Sequence, residues 1–344
     1  MDDHTPLQEA RAYVDGNGEL ARALGVESSD ALSVEPLGQG EHNANFVLTA
    51  ADGRRFVLRV NYISQLGLSD QVGYEFSALA ALTSSGRVPR ALFVDSSCRR
   101  IGHGVLAESY LPGTWLDFAD PAQVREAACV LADVHSVPVA DDCGLLRPED
   151  PLRDQLKTCE TLFCAYAESP LCETRVARTV ERFFARAEAA VAEAGRTDAD
   201  ATHILNTEAV PSHFLIDSTG RGSMVDWEKP VVGEAAQDVA YFLSPTTTIW
   251  DTDFIFDADG RARFIEDYWR SVDGRFSRDA FDARFSAYVM TNALIGVTWS
   301  CNALVEYHGT DRPLQNDKTR NLLPRYVSQD FLDLLWRDCF SGGR

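Results

Sequence analysis

The alternation of apolar and polar residues changes character twice along this 344-residue chain. Residues 5–25 repeat apolar positions at helical spacing, as one amphipathic helix or two. From 33 to 61, "SVEPLGQGEHNANFVLTAADGRRFVLRVN", the period becomes two. Two strands are predicted there, flanking the turn at Asp52–Gly53, with Gly38 and Gly40 in the first. A helix follows over 71–85, with Tyr74, Leu79 and Leu82 on its apolar face and Phe76 and Ala80 nearby. Short strands come next at 91–95 and 104–110, and "LPGTW" breaks the pattern. Beyond 115 the helical period dominates, over 121–136, 151–167 and 171–194, then near 235–243, 261–272, 278–308 and 328–339. "EAGRTDAD", 193–200, reads as a polar linker. A single β interruption, Leu205 to Asp226, reads strand, turn, strand around Asp217–Gly220. The pattern predicts an α+β fold of two lobes: a small β-rich lobe, residues 1–111, and a larger helical lobe, residues 112–344. The cleft between two such lobes is a favoured place for a ligand.

Composition narrows the setting. Asp and Glu number 52 against 32 Lys and Arg, a formal charge of −20. Such a field repels phosphate backbones, so a general nucleic-acid binder is not expected. No apolar run reaches the roughly 18 residues that cross a bilayer. The N-terminus, "MDDHTPLQEARAYVDG", is acidic and unlike a secretory signal. A cytoplasmic protein without a membrane partner is the expectation. The three lysines are Lys157, Lys229 and Lys318. Acid excess with scarce lysine suits solubility in concentrated salt; a GC-rich coding bias also replaces lysine by arginine. The eight cysteines show no CxxC pair and no zinc spacing, and read as buried free thiols.

Chemistry concentrates in three places. In "LGQGEHNANF" the glycines let a strand's backbone amides approach phosphates, or simply bend the strand. The stretch is not a Walker loop, because GK[ST] is absent. Arg59, on the strand taken to pair with the glycine strand, is a fixed cation suited to phosphate oxygens, and Glu75 on the next helix could orient it. The third place is the hairpin. Asp226 ends a strand in "MVDWE", where a carboxylate can hold Mg²⁺ through hard oxygen ligands. Glu208 precedes the hairpin and could take a proton from a hydroxyl. His213 lies between them, able to complete the metal site, to contact a phosphate, or to serve structure alone.

This order of parts resembles the aminoglycoside phosphotransferase and choline kinase superfamily, over roughly residues 30–310. It is most specific in "VDWEKPVVGEAAQDVAYFL". The resemblance implies a protein-kinase-like fold that moves the γ-phosphoryl group of ATP to a hydroxyl of a small molecule such as a sugar, an amino alcohol or an aminoglycoside. It implies that Gly38, Gly40 and Asn43 cover the phosphates and that Arg59 pairs with Glu75. It further implies that the backbone around Ser109 to Leu111 holds adenine. Asp226 matches the metal-binding aspartate and Asp238 the helix aspartate of the family. The catalytic loop departs from the usual His-Gly-Asp, four residues, Asn. Here Asn206 stands at the His position, Glu208 at the catalytic Asp and His213 at the Asn. The longer acid shifts a base by about 1 Å or more, which can cost roughly 10²-fold in rate. Neutral imidazole is a poor Mg²⁺ ligand and leans toward Mn²⁺ or Zn²⁺.

Two readings follow. The first is an ATP- and Mg²⁺-dependent kinase, with Mn²⁺ as the alternative ion, acting on a small-molecule hydroxyl. The second is a pseudokinase-like module that binds nucleotide without transferring phosphate, motivated by the altered "NTEAVPSH" loop. For the acceptor, Glu228, Trp250, Trp299 and Glu306 are the candidates. "SPTTTIWDTD" adds hydroxyls and acids, and "TWSCNALVEYH" sets Trp299, Asn302 and Glu306 near one helix face.

Overall fold

A computed structural model describes residues 5–40, 42–195, 203–309 and 316–341. Most of the expected linker 193–200 lies outside the described residues. The first amphipathic segment is two helices, α1 (Pro6–Val14) and α2 (Gly18–Leu24). The break falls where Gly16 takes a positive φ and Asn17 caps the second helix, its side chain accepting from the Leu20 amide. The expected glycine strand is two strands, β1 (Ser33–Gln39) and β2 (Asn43–Thr49), paired antiparallel. The turn between them carries no Asx-Gly signal, so alternation alone runs straight through it. β3 (Arg55–Asn61) pairs with β2, setting Asn45 opposite Arg59. The arginine strand is therefore one removed from the strand holding Gly38, not its direct partner.

α3 (Gln71–Leu82) starts from Asp70, whose carboxylate accepts from the Gly73 amide. β4 (Ala91–Asp95) and β5 (Gly104–Ser109) complete a five-stranded sheet in the order β1-β2-β3-β5-β4. One face of this sheet, with Leu48, Leu58, Val60, Val105 and Ala107, packs with α1 and α2. On the other face, Leu106 joins the α3 residues Tyr74, Leu79 and Leu82 in a core that continues into the helical lobe. Leu79 and Leu82 are fully buried, as the helical spacing requires.

The connection then runs along the helical lobe as β6 (Thr114–Trp115), and the helices α4 (Pro121–His135), α5 (Pro151–Ala167) and α6 (Thr174–Ala194) follow. β7 (His203–Leu205) leads to the hairpin β8 (Phe214–Ile216) and β9 (Gly222–Met224), and β10 (Val231–Gly233) returns to pair with β7. β6 pairs with β8, so the interlobe segment is stitched to the hairpin. A Cβ on Gly113, at φ +151°, would lie 2.9 Å from the Ile216 carbonyl oxygen. That contact explains the glycine of "LPG". The rest is helical: α7 (Ala235–Leu243), α8 (Pro245–Asp251), α9 (Ala258–Val272), α10 (Asp279–His308), α11 (Asp317–Tyr326) and α12 (Gln329–Leu335).

Two of these helices were not expected. α8 covers most of the stretch whose hydroxyls and acids are candidates for the acceptor, and Thr246, Thr247 and Thr248 are buried within it. α11 carries Pro324 inside its last turn, a residue that reads as a helix stop. The α+β expectation holds, with a small sheet lobe and a larger helical lobe. No described helix is long and apolar enough to cross a membrane. All eight cysteines are free, but only Cys159, Cys301 and Cys339 are buried, and Cys98 and Cys164 are exposed.

Candidate active site

The inner face of the sheet, α3 and the segment after the hairpin converge on Arg59. Strand alternation turns Arg59 away from Leu58 and Val60, which belong to the opposite core, and toward α3. Its Nε lies 3.0 Å from Glu75 Oε1, its Nη2 2.9 Å from Asp226 Oδ1 and 3.8 Å from Glu228 Oε2. The contact with Glu75 is an ion pair without an aligned hydrogen bond, since Arg59 Nε and Glu75 Oε1 are both buried and unbonded. Asn45 Oδ1, across the ladder from Arg59, is buried and unbonded as well.

Charge sets the protonation of this cluster. Burial disfavours the Arg59 cation, but Glu75, Asp226, Glu108 and Glu228 outweigh it and hold the guanidinium above its ordinary value. Burial, partly offset by Arg59, pushes Glu75 up to about 8. Glu108 on β5 is raised to about 7, again by burial first. The Glu228 carboxyl is pushed up by burial and by the charge on Asp226. Asp226 goes the other way: burial opposes its charge, but Arg59 and then His213 bring it below the ordinary carboxylate value.

The second half of the site is the stitched loop before the hairpin. Asp238, fully buried in the first turn of α7, accepts from the amides of Asn206 at 2.7 Å and Thr207 at 2.8 Å. His135 Nε2 is 3.3 Å from the same carboxylate. The Asn206 side chain donates to the Asp226 carbonyl, and its Oδ1 accepts from the Glu208 amide. Thr207 Oγ1 donates to the Lys229 carbonyl at 2.8 Å. Thr207 and Asp226 both sit at positive φ, +67° and +63°, a region that a β-branched residue occupies only when its surroundings compel it. Asp238 on one side and the Lys229 carbonyl on the other supply that compulsion.

The expected residues are therefore distributed as follows. Arg59, Glu75, Asp226 and Glu228 come together in the cleft. Glu228, expected among acceptor residues, faces the sheet lobe, bonded to Asn43 and 3.5 Å from His42. Asn43 also accepts from Asn61 at 2.9 Å. Gly38 and Gly40 are exposed, and a Cβ on Gly38 would meet nothing within 4 Å. Ser109 bonds through its amide and hydroxyl to Arg90 in the strand ladder, with the half-buried Leu111 two residues on. His213 Nε2 lies 3.4 Å from Asp226 Oδ2. Glu208 makes an ion pair with Lys229, Nζ to Oε1 2.7 Å. Trp250 and Trp299 meet edge to face at 5.4 Å between ring centres. Glu306 lies on an exposed helix end and accepts from Asn302.

Sequence reasoning missed Glu108, Lys229 and Asn45 as site residues, and offered Asp251 only among the acids of "SPTTTIWDTD". An acid on the inner side of an alternating strand was the available signal for Glu108. Asp251 Oδ2 accepts from the Ser212 amide, and its other oxygen pairs with Lys318, which lies 5.9 Å from the exposed Trp115 ring. These side chains border the loop before the hairpin.

The sheet side of the cleft suits a nucleotide, since Arg59 is a buried cation there and Asn45 Oδ1 across the ladder is buried without a hydrogen bond. For a divalent ion, Asp226 offers hard oxygen. Among the described residues, no group of three or more His, Cys, Asp or Glu side chains is placed to hold one unaided. That suits Mg²⁺, which commonly takes one or two carboxylates and completes its shell with phosphate oxygens and water. Two surface cavities, about 430 Å³ beside α1 and β1 and about 410 Å³ between α10 and α11, share no residue with this site.

The sequence pattern described as "phosphotransferase enzyme family" matches residues 33–281. Among solved structures, an ethanolamine kinase from Plasmodium vivax is 13% identical, with TM-score 0.62 over 89% of this chain and 85% of that one. Amicoumacin kinase hAmiN, in complex with AMP-PNP, Ca²⁺ and Ami, is 15% identical, with TM-score 0.61 over 95% of both chains. Spectinomycin phosphotransferase, in complex with ADP and spectinomycin, is 11% identical, with TM-score 0.60 over 89% of this chain and 92% of that one. At such identities the likeness shows the fold, which is that of the kinase-like proteins. No curated protein sequence matches.

Proposed function

Because the chain belongs to the phosphotransferase enzyme family, we propose that it moves the γ-phosphoryl group of ATP to a hydroxyl of a small molecule. The observation that carries this reading is Arg59 bridging Glu75 and Asp226, at 3.0 and 2.9 Å, beside the buried and unbonded Asn45 Oδ1. Residues 1–111 would hold the nucleotide, with Gly38, Gly40 and Asn43 over the phosphates, Arg59 on their oxygens and the Ser109–Leu111 segment against the base. Asp226 would hold Mg²⁺, with His213 orienting that carboxylate. The ion supplies charge neutralisation on the β- and γ-phosphates.

Residues 112–344 would carry the acceptor. Glu208 accepts the proton of the attacking hydroxyl as its oxygen bonds to the γ-phosphorus and the bond to the β,γ-bridging oxygen breaks, releasing ADP. Trp250 and Trp299, with Trp115 and Asp251 near the loop, would border the acceptor. Tying up Glu208 in an ion pair favours the second reading, a nucleotide binder without transfer. The test is ATP loss and product mass over a panel of amino alcohols, sugars and aminoglycosides, at low and high salt. Asp226→Asn should lower turnover by at least about 10³-fold, of the order expected when transition-state charge stabilisation is lost. ATP binding without Asp226-dependent transfer to any acceptor would leave only the second reading.

A further inference from the structure

The loop acid does not stand alone. Glu208 and Lys229 are each about a quarter exposed, 24% and 27%, and their charges are 2.7 Å apart. The two residues come from different loops, yet both backbones are fixed. Thr207 bonds to the Lys229 carbonyl, and the Asn206 side chain spans from the Asp226 carbonyl to the Glu208 amide. A flexible surface pair would have no such anchorage. The neighbours are acidic: Asp226 and Glu228 lie on the chain just before Lys229, and the charge on Glu208 adds to the upward push on Glu228. Without a cation at 229, a glutamate at 208 would be driven away from this cluster and toward solvent. Arg59 spends its charge on other acids, Glu75, Asp226 and Glu228.

We infer that Lys229 is a positioning residue for the transfer reaction, holding the longer Glu208 side chain where it can take the proton of the acceptor hydroxyl. A glutamate has one more rotatable bond than an aspartate, so a loop built on Glu208 needs a second contact to fix its carboxylate. Lys229 provides it from the Asp226 segment, the same segment that meets Arg59. The acid and its anchor therefore form one unit, bridging the loop before the hairpin and the loop after it. The inference rests on the phosphotransfer reading above.

The test uses the full chain with MgATP, first with water as acceptor, read as phosphate release, and then with any acceptor found in the panel. Lys229→Met should lower kcat by about 10²-fold, the scale of an angstrom-level misplacement. Its ATP affinity by calorimetry, the KM for acceptor and the melting temperature should stay close to the parent's. Lys229→Arg, which keeps a cation of similar reach, should recover most of the lost kcat. In the double variant with Glu208→Gln, removing Lys229 should cost little further, because the two act as one unit. A Lys229→Met enzyme with parental kcat would overturn the inference while leaving phosphotransfer intact. Losses that multiply in the double variant would overturn it equally, because Lys229 would then act apart from Glu208. A parent with no turnover on any acceptor would sink the phosphotransfer reading and this inference together.

Discussion

On the hairpin side of the cleft, the Asp238 carboxylate accepts the amides of both Asn206 and Thr207 and touches His135. On the sheet side, Asn45 Oδ1, Arg59 Nε and Glu75 Oε1 are buried with no hydrogen bond. Both regions lie within one site, but the first is finished by hydrogen bonds to its backbone, whereas the second is held by ion pairs and leaves Asn45 Oδ1 open. A buried polar group without a partner costs roughly 1–3 kcal/mol. Arg59 Nε and Glu75 Oε1 offset that cost by pairing with each other at 3.0 Å, and Asn45 Oδ1 bears it on the face where we propose that a nucleotide binds. The loop that would handle a proton needs fixed geometry before any ligand arrives, so its backbone is held by internal bonds, with His213 Nδ1 the buried atom there that makes none. Strain is placed the same way, with Thr207 held in the left-handed region inside the finished half.

The largest expected effect comes from breaking the finished half. Asp238→Ala leaves two buried amides unpaired and a buried imidazole without its acid. Urea denaturation should show a loss of about 4 kcal/mol, in the range found when a buried polar network loses its hub. If Asp238→Ala were as stable as the parent, the loop would be held by its other bonds and the contrast between the two halves would fail.

The acids of the open half give the next effect, through pH. Glu108 is raised to about 7 and Glu75 to about 8, from an ordinary 4.5. The folded state then holds protons that the unfolded chain has released. As far as these two groups set it, stability should be fully present below about pH 4.5 and be lost as pH rises through about 7 and about 8. Glu108→Gln removes one of them and should flatten the fall between pH 5 and 8 by about 2 kcal/mol, somewhat under the full linkage value because Arg59 stays charged beside it. Parallel pH profiles for the variant and the parent, from denaturant midpoints, would show that Glu108 titrates normally.

How much of this was legible follows from the range of each interaction. Arg59, Glu75 and Asp226 sit in periodic or bounded segments, so strand alternation and helix spacing locate them, and the resemblance supplies their order. The turn after Gly40 carries no turn signature, and one predicted strand became two. Thr246–Thr248 in α8 and Pro324 in α11 disfavour helix locally, and tertiary packing overrides them. The Lys229–Glu208 pair joins residues 21 apart across two loops, and no period connects them. Glu228, a candidate for the acceptor, follows Asp226 by two residues. Only the path of the chain after the positive φ at Asp226 shows that it turns to Asn43 and His42.

The smallest effect on stability, and the one that sharpens the contrast most, is expected at Asn45. Its amide faces the cleft opposite Arg59 and spends no hydrogen bond at Oδ1 on the protein. Asn45→Ala should therefore change unfolding stability by less than about 1 kcal/mol, since no intramolecular bond to that oxygen is lost. The same change should weaken ATP binding about tenfold, the equivalent of one good hydrogen bond. Thermal melts of the parent and Asn45→Ala, each with and without ATP, separate the two quantities. The apo melting temperatures should coincide, and the ATP-induced shift should shrink in the variant, because a ligand stabilises in proportion to the logarithm of its occupancy ratio. A variant that melts early without ATP, yet gains as much from ATP as the parent, would show that Asn45 belongs to the finished half. The unbonded oxygen would then be a packing expense of the sheet rather than a place kept for nucleotide.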